Sequence, residues 1–337
     1  MTMTLPSRTL PDRLTTEIGT LGWGAYLPER LVTNEEVALP AGVDAGWIER
    51  KTGIRQRRRA APHEAASDLA TDAARTALAQ AGVRAEDLTA IVLATSTPDH
   101  PQPPTACLVQ ERLGATSAAA FDLNAVCSGF VFALGVGRDM LAATGGLVLV
   151  IGVDVYSRIL DPADRKTAVL FGDGAGAAVL GSVPGGRGVQ SIRLLSSGSE
   201  NQLIRVPAGG SRIPASVDSV RAGQHWFTMD GRGVRSFVEE RVPSALAEFL
   251  ADAGVAPSEV RHLVTHQANG RMMDDLFPRL GLPSAVVHQS VQRYGNTGSA
   301  SIPITLAEAA PKIAEGDLVL MAGFGGGMAM GFALLRW

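Results

Sequence analysis

The chain has 337 residues, of which 46% are hydrophobic and 19% charged, and its formal net charge is -3 at pH 7. This length and apolar content can build a large buried core, which excludes a disordered tail protein, and two cysteines are too few for a disulfide-stapled module. The weakly acidic balance provides no general attraction to nucleic acid or to an anionic membrane, so neither is an expected partner.

The N-terminal residues 1–16 are polar and lack the apolar segment of a signal sequence, and no run of about 20 apolar residues stands out as a membrane span. We therefore expect a cytoplasmic protein in which Cys107 and Cys127 are reduced thiols. The His, Cys, Asp and Glu residues are not spaced as metal ligands, so we expect neither a metal nor a redox cofactor.

Helix and strand patterns alternate along the chain. Apolar residues at helical spacing predict a helix over residues 67–81, and a continuous apolar run predicts a strand over 88–95 that is covered on both faces. The same patterns predict four further elements: a strand over 119–123, an apolar helix that reaches about residue 143, a helix over 234–253 and a strand over 260–265. This alternation is typical of an α/β protein with mostly parallel sheets.

Two segments recur in the same order at nearly one spacing. Residues 81–93 are echoed by 253–265, and residues 147–152 are echoed by 318–323, which indicates a duplicated half. We predict two pseudo-symmetric halves that meet near residues 184–188, with the polar segment 196–224 as an insertion or loop. The predicted bounds of the halves are 1–182, which holds the nucleophile, and 183–337.

Cys127 directly follows the predicted strand 119–123 and precedes the predicted apolar helix. A thiol at a helix N-terminus experiences the positive end of the helix dipole and free backbone N–H groups, which favour a thiolate and can bind an oxyanion. The alternative for a lone cysteine is a buried structural residue. Cys107 lacks this strand-turn-helix context, and we interpret it as a core residue.

Two polar residues of the second half occupy comparable positions. His266 follows the strand 260–265, at the carboxyl end where open α/β sheets build their sites. Asn296 lies about one repeat offset after Cys127, so the repeat predicts that it points into the same cavity, although a turn or N-cap Asn is the alternative. The Gly-rich run 323–327 follows another predicted strand, where backbone N–H groups can approach a substrate oxygen closely.

Together these motifs resemble the thiolase superfamily, and within it the β-ketoacyl-(acyl-carrier-protein) synthase III family. The resemblance covers nearly the whole chain. The matching motifs, in order, are Trp47-Ile48 with Thr52-Gly53-Ile54, Cys127-Ser128-Gly129, Phe171-Gly172-Asp173-Gly174-Ala175-Gly176, His266-Gln267-Ala268-Asn269, Gly295-Asn296-Thr297 and Phe324-Gly325-Gly326-Gly327.

The resemblance implies a five-layered αβαβα fold, a homodimer and a catalytic triad of Cys127, His266 and Asn296. An acyl group is loaded from acyl-CoA, or from an acyl carrier protein, onto Cys127, with the backbone N–H groups of Cys127 and Gly326 as the oxyanion hole. A malonyl-type thioester is then decarboxylated, and N–H donors of His266 and Asn296 stabilise the enolate that attacks the acyl-enzyme. Coenzyme A enters as a thioester substrate, and no cofactor is implied.

The resemblance also assigns residues to the binding of coenzyme A and substrate, and these are Trp47, Lys51, Arg165, Asn269, Arg271 and Phe324. Lys51 stands where the family has an Arg that stacks on adenine. The acidic pair Asp274-Asp275 follows Arg271 where the family is basic, which predicts altered carrier-protein recognition. The basic run from Arg50 to Arg59 is either a contact for phosphates or a carrier protein, or a solvated face.

Gln102 stands where the family commonly places an apolar residue that reaches into the partner subunit's acyl pocket. This predicts an acyl group that is longer or more polar than acetyl, and a specialised synthase of secondary metabolism. Two alternatives share parts of the same site. One is an acyltransferase that moves the Cys127-bound acyl group to an O or N acceptor without decarboxylation, and the other is a non-catalytic partner subunit.

Overall fold

A computed structural model describes residues 17–337, so the predictions for residues 1–16 lie outside the described part of the chain. The strands are β1 Glu17–Tyr26, β2 Leu31–Thr33, β3 Gln56–Arg58, β4 Ala90–Ala94, β5 Ala119–Leu123, β6 Val148–Val155, β7 Asp173–Val183, β8 Gly188–Ser196, β9 Ile204–Arg205, β10 Thr228–Met229, β11 Val260–Thr265, β12 Val286–His288, β13 Leu318–Gly325 and β14 Ala329–Arg336. The α-helices are α1 Asn34–Ala41, α2 Ala45–Thr52, α3 Ala66–Ala81, α4 Thr105–Leu113, α5 Gly129–Thr144, α6 Val217–Arg221, α7 Gly231–Asp252, α8 Gly270–Leu276, α9 Val291–Tyr294 and α10 Ser301–Ala309.

Two five-stranded sheets form the frame of the molecule, with strand orders β1-β7-β6-β4-β5 and β12-β11-β13-β14-β8. In each sheet three neighbouring strands pair in parallel at one side; the fourth strand, β7 or β14, runs in the opposite direction and pairs antiparallel with both of its neighbours. The prediction of mostly parallel sheets holds for strand direction, since four of the five strands in each sheet run the same way, but not for pairing, since half of the neighbouring strand pairs are antiparallel. Continuous apolar runs predict burial on both faces but not strand direction.

The two sheets repeat one topology. Read from the parallel side, β5-β4-β6-β7-β1 in the first sheet matches β12-β11-β13-β14-β8 in the second, with the same order along the chain. The segment 184–187 connects the last strand of the first sheet to the first strand of the second. The division between residues 182 and 183 stays a prediction, and it falls within the last two residues of β7. The predicted insertion 196–224 contains a short strand, β9, and a short helix, α6.

The helices form three layers around the two sheets. Side chains of α5 and α10 share one buried core with residues from the inner faces of β4, β6, β11 and β13. On the outer face of the first sheet, α3 and α4 pack in a second core, and α7 and α8 pack on the outer face of the second sheet. These five layers confirm the predicted αβαβα fold.

The central helix corrects one expectation about membranes. The segment Val126–Thr144 has 19 residues and is long and apolar enough, by length and composition alone, to cross a membrane. Here it contains α5, whose Phe130, Val131 and Leu134 are fully buried between the sheets. A helix covered on both sides by sheets is apolar over most of its length because the covered faces do not meet water.

Close packing of α3 on β1 yields a stability prediction. A Cβ added at Gly24 would lie 2.2 Å from the carbonyl oxygen of Ala73, a backbone atom that cannot rotate away. We expect Gly24→Ala to lower the free energy of unfolding by about 1–3 kcal/mol, as overpacking does in other cores. Gly185→Ala, at a position with no atom within 4 Å, is the matched control and should change it by less than about 0.5 kcal/mol in denaturant titration.

Candidate active site

Cys127 lies in a short turn between β5 and α5, as the sequence predicts. The preceding residue, Val126, has a φ of 48°, an unusual backbone conformation for a β-branched residue, and the turn delivers Cys127 to the mouth of the helix. The end of β13 presses against this turn. A Cβ at Gly325 would lie 2.6 Å from the Cys127 Cβ and 3.0 Å from its sulfur, so glycine is required there.

His266 follows β11 and is buried, with 2% of its surface exposed. Its Nδ1 lies 2.8 Å from the Ser301 hydroxyl, which in turn donates to the carbonyl oxygen of Gly298 at 2.9 Å. Because the serine has one proton and donates it to Gly298, it accepts from His266, and the ring carries its proton on Nδ1. Nε2 is left as the unprotonated nitrogen, so the predicted N–H donation from His266 to an enolate needs a proton that the resting ring lacks.

Asn296 is held by its backbone and by one side of its amide. Its N–H donates to Leu170 and its carbonyl accepts from Gly172, which ties it to the Phe171 segment of the first half. Its Oδ1 accepts from the backbone N–H of Gly298 at 2.9 Å. The Nδ2 group is therefore the part of the side chain that can donate to a ligand.

One cavity of about 340 Å³ joins these residues. It is lined by most of the predicted site residues, namely Trp47, Lys51, Cys127, Arg165, His266, Asn269, Arg271, Asn296 and Phe324. The edge of the His266 ring meets Phe324, with ring centroids 5.6 Å apart. Gly326 follows Gly325, which lines the cavity, and the backbone N–H of Gly326 lowers the pKa of the Cys127 thiol. The described residues contain no group of three or more His, Cys, Asp or Glu that could hold a metal ion.

Burial dominates the electrostatics at the base of this cavity. It raises the pKa of the Cys127 thiol to about 12, with a further contribution from the nearby Asp154 carboxylate, against the lowering effect of N–H groups from Gly326 and Cys127 itself. Burial also lowers the pKa of His266 to about 3. The N–H groups at the helix N-terminus favour a thiolate, as expected, but burial opposes them more strongly, so the pKa shifts favour a neutral thiol and a neutral imidazole in the resting site.

Two buried polar residues next to the sulfur, Tyr156 and Asp154, are not among the residues predicted from the sequence. Tyr156 directly follows β6; its hydroxyl lies 3.0 Å from the Ser96 hydroxyl and lowers the pKa of the neighbouring Cys127 thiol. Asp154, the penultimate residue of β6, is fully buried and accepts hydrogen bonds from Ser96 and from the backbone of Ser299. Both lie at a strand's carboxyl end, the signal that identified His266, and could have been found from it.

Cationic side chains surround the mouth of the cavity. Lys51, Arg165 and Arg271 are exposed there, beside the half-buried Trp47. Asn269 lies beside them, but its Oδ1 caps α8 by accepting from the N–H groups of Arg271 and Met272, so part of its side chain has a structural role.

The basic run from Arg50 to Arg59 is not one uniform surface. Arg57 is fully buried and donates to Asn34 and to the carbonyl of Val169, so it belongs to the core.

Gln102 does not line the Cys127 cavity of its own chain. It is exposed on the loop before α4, together with Pro101 and Pro103. Cys107 is half-buried, and its thiol points at the carbonyl of Ala120.

Two parts of the chain match one protein family. The family described as 3-Oxoacyl-[acyl-carrier-protein (ACP)] synthase III matches residues 121–198, and its C-terminal part matches residues 250–337. Among curated proteins, the acetoacetyl CoA synthase NphT7 of Streptomyces sp. (strain CL190) is 59% identical over 321 residues, covering 94% of this chain and 98% of that protein. The β-ketoacyl-[acyl-carrier-protein] synthase III of Symbiobacterium thermophilum is 45% identical over 324 residues, covering 95% and 98%.

Solved structures show the same similarity. The 3-oxoacyl-[acyl-carrier-protein] synthase III of Aquifex aeolicus VF5 superposes with a TM-score of 0.86 at 37% identity, covering 95% of this chain and 100% of that one. The priming β-ketosynthase of the R1128 polyketide biosynthetic pathway superposes with a TM-score of 0.89 at 34% identity, covering 98% of each chain.

The raised pKa of Cys127 predicts how the thiol reacts with an alkylating agent. Since the thiolate is the reactive form, the rate of Cys127 alkylation by iodoacetamide should rise about tenfold per pH unit between pH 7 and pH 9, without a plateau. Peptide mass spectrometry separates this reaction from that of Cys107, and Cys127→Ala provides the blank. A rate that levels off below pH 8 would contradict a buried neutral thiol.

Proposed function

This chain belongs to the β-ketoacyl-(acyl-carrier-protein) synthase III family, and on that premise we propose that Cys127, His266 and Asn296 form the catalytic triad of an acyl-transferring condensing enzyme. The observation that supports this proposal most strongly is that one cavity is lined by all three side chains, contributed by both halves. The family assignment favours condensation over acyl transfer to an oxygen or nitrogen acceptor. The intact triad argues against a non-catalytic partner subunit.

In the first half-reaction, Cys127 attacks the carbonyl carbon of an acyl-CoA. A standing thiolate–imidazolium pair is disfavoured by the pKa values of about 12 for Cys127 and about 3 for His266, so the proton leaves sulfur as the new C–S bond forms. Nε2 of His266 accepts it and passes it to the departing coenzyme A sulfur. The N–H groups of Cys127 and Gly326, which meet the sulfur in the resting site, stabilise the tetrahedral oxyanion.

In the second half-reaction, a malonyl thioester loses CO₂ and its enolate attacks the acyl-enzyme. Asn296 Nδ2 is the donor that meets the enolate oxygen, because Gly298 already occupies its Oδ1. The negative charge of the enolate exists only in the transition state and the intermediate, and the neutral amide of Asn296 stabilises it there by donating a hydrogen bond. As the new C–C bond forms, the C–S bond to Cys127 breaks and the sulfur leaves as a thiolate, which then takes up one proton from solvent.

We propose that the malonyl unit is carried by coenzyme A. The relative that is 59% identical is named an acetoacetyl CoA synthase, whereas relatives at 45% identity and below are named for the acyl carrier protein. On the surface after Arg271, the carboxylates of Asp274 and Asp275 pair with Arg271 and Arg235. This pairing neutralises positive charge that an acidic carrier protein would need for docking.

We propose acetyl as the acyl unit, since an acetoacetyl product contains an acetyl group extended by two carbons. The larger or more polar acyl group predicted from Gln102 has no support from the Cys127 cavity of the same chain. Loading assays with a panel of acyl-CoA donors decide between the two, and exclusive use of acetyl-CoA would refute the prediction from Gln102.

A homodimer in the cytoplasm is part of the proposal. Strand β5 pairs with β4 on one side, and its other edge is left without a partner strand among the described residues, which is a surface where a second copy can add its own strand. Sedimentation of the purified chain at micromolar concentration tests this, with a species of twice the chain mass expected.

Replacing the proposed enolate donor should separate the two half-reactions. Asn296→Asp puts a negative charge where the enolate forms, so condensation should fall by about 100-fold or more, while acyl loading on Cys127 changes by less than about tenfold. Loading is measured by intact mass and condensation by CO₂ release. The exposed Asn201→Asp is the matched control and should leave both unchanged. Equal losses in both steps would argue against an enolate role.

The acceptor is tested by comparing malonyl-CoA with malonyl-carrier protein on enzyme that has been acylated in advance. We expect condensation with malonyl-CoA to be at least about tenfold more efficient, a difference of about 1.4 kcal/mol. The double variant Asp274→Lys with Asp275→Lys restores positive charge and should improve use of the carrier protein selectively. A wild-type preference for the carrier protein would refute the proposed acceptor.

A further inference from the structure

The Tyr156 side chain is held from several directions beside the Cys127 sulfur. It is 1% exposed, and its ring stacks on Phe171 with centroids 4.4 Å apart and meets the edge of Phe227 at 5.5 Å. Its hydroxyl lies 3.0 Å from the Ser96 hydroxyl and is close enough to the Cys127 thiol to lower the pKa of that thiol. The ring packing fixes the position of the oxygen and leaves its proton free to point to either neighbour.

The hydrogen bonds around Ser96 decide which groups can donate. The Asp154 carboxylate accepts from the Ser96 hydroxyl at 2.9 Å and also from the backbone N–H of Ser96 and the hydroxyl of Thr97. Because its proton is directed to Asp154, the Ser96 oxygen can only accept from Tyr156. The phenol proton therefore has two alternative acceptors, the Ser96 oxygen and the Cys127 sulfur.

The state of the sulfur selects between these acceptors. While Cys127 is a neutral thiol, its S–H donates to the phenol oxygen and Tyr156 donates to Ser96. When negative charge develops on sulfur, the sulfur becomes the stronger acceptor, since hydrogen bonds to charged groups are the stronger ones. Rotation about the C–O bond of the phenol is enough to move the proton.

Resting on the proposed role of Cys127 as nucleophile, we propose that Tyr156 is a further catalytic residue, whose hydroxyl donates to the Cys127 sulfur whenever that sulfur carries negative charge. During loading the S–H proton goes to His266, the S–C bond to the acyl carbon forms and the bond to the coenzyme A sulfur breaks. During condensation the acyl C–S bond breaks and the electron pair returns to the Cys127 sulfur. Tyr156 stabilises the sulfur at both points and exchanges no proton itself.

The charged and titratable groups facing the sulfur fit this role. Asp154, from β6, opposes negative charge on sulfur, and His266, from the end of β11, lines the same cavity. Burial keeps Tyr156 a neutral phenol by raising its pKa well above the usual value. Tyr156 therefore keeps its phenol proton at any working pH and can donate it to the sulfur. It is also a neutral neighbour of the sulfur on the side where Asp154 opposes negative charge.

Tyr156→Phe tests the proposal, because it removes the hydroxyl and keeps the ring in its aromatic packing. Tyr26→Phe is the matched control, since it removes a phenol whose hydroxyl donates to Glu64 away from the cavity. The readout is the rate of iodoacetamide alkylation of Cys127 from pH 7 to pH 9, followed by peptide mass spectrometry. This readout requires no acyl substrate, so it reports on the sulfur alone.

We expect the thiolate fraction to fall about tenfold in Tyr156→Phe, and the alkylation rate to fall at least about 3-fold because a more basic thiolate is a better nucleophile. Acyl loading from acetyl-CoA should slow in parallel, and Tyr26→Phe should match the wild type in both assays. An unchanged alkylation rate in a folded Tyr156→Phe protein would overturn the proposal and leave Tyr156 a packing residue.

Ser96→Ala is a second test that does not depend on the folding of Tyr156→Phe. It removes the competing acceptor, so the phenol proton should turn to the sulfur and the alkylation rate of Cys127 should rise at each pH. An unchanged or lower rate would count against the proposal. Failure of the proposed function is distinguishable, because it would appear as absence of an acyl-enzyme in the wild-type protein, whatever the alkylation rates of the variants.

Discussion

The close approach of the two halves at Cys127 is the constraint on which the rest of the site depends. The end of β13 lies so near the nucleophile turn that a Cβ at Gly325 would collide with the Cys127 side chain, and one at Gly323 would lie 3.0 Å from the Ser128 Cα. Gly298, with a φ of +58°, leaves room for the Asp154 carboxylate, which a Cβ would meet at 2.2 Å. Side chains at these positions would push the thiol, the imidazole and the amide apart.

The same approach accounts for the chemistry of the resting site. Two sheets and two central helices remove Cys127 and His266 from water, so both are neutral before substrate enters. A buried neutral thiol is protected from adventitious reaction. When negative charge forms on its sulfur, the hydrogen-bond donors that stabilise this charge are already in place. The N–H group of Gly326 and the hydroxyl of Tyr156 are two such donors, one from each half of the chain.

Much of this arrangement could be predicted from the sequence. The repeat and the strand ends predicted that Cys127, His266 and Asn296 share one cavity, because pseudo-symmetric strands deliver equivalent turns to one place. The direction of β7 and β14 could not be predicted, since apolar runs such as 173–183 look alike in parallel and antiparallel sheets. The tautomer of His266 depends on Ser301, and the environment of the thiol depends on Asp154, and neither contact has a signature in local sequence.

The central claim is that one cavity holds an acyl thioester on Cys127 and converts it by decarboxylative condensation. The most direct measurement is a single-turnover chase, in which protein acetylated from acetyl-CoA and freed of donor is mixed with malonyl-CoA and followed by intact mass and CO₂ release. We predict that the acetyl adduct on Cys127 disappears as one CO₂ and one acetoacetyl-CoA form for each adduct. An adduct that persists, or that leaves as free acetate without CO₂ and a β-keto product, would contradict the account.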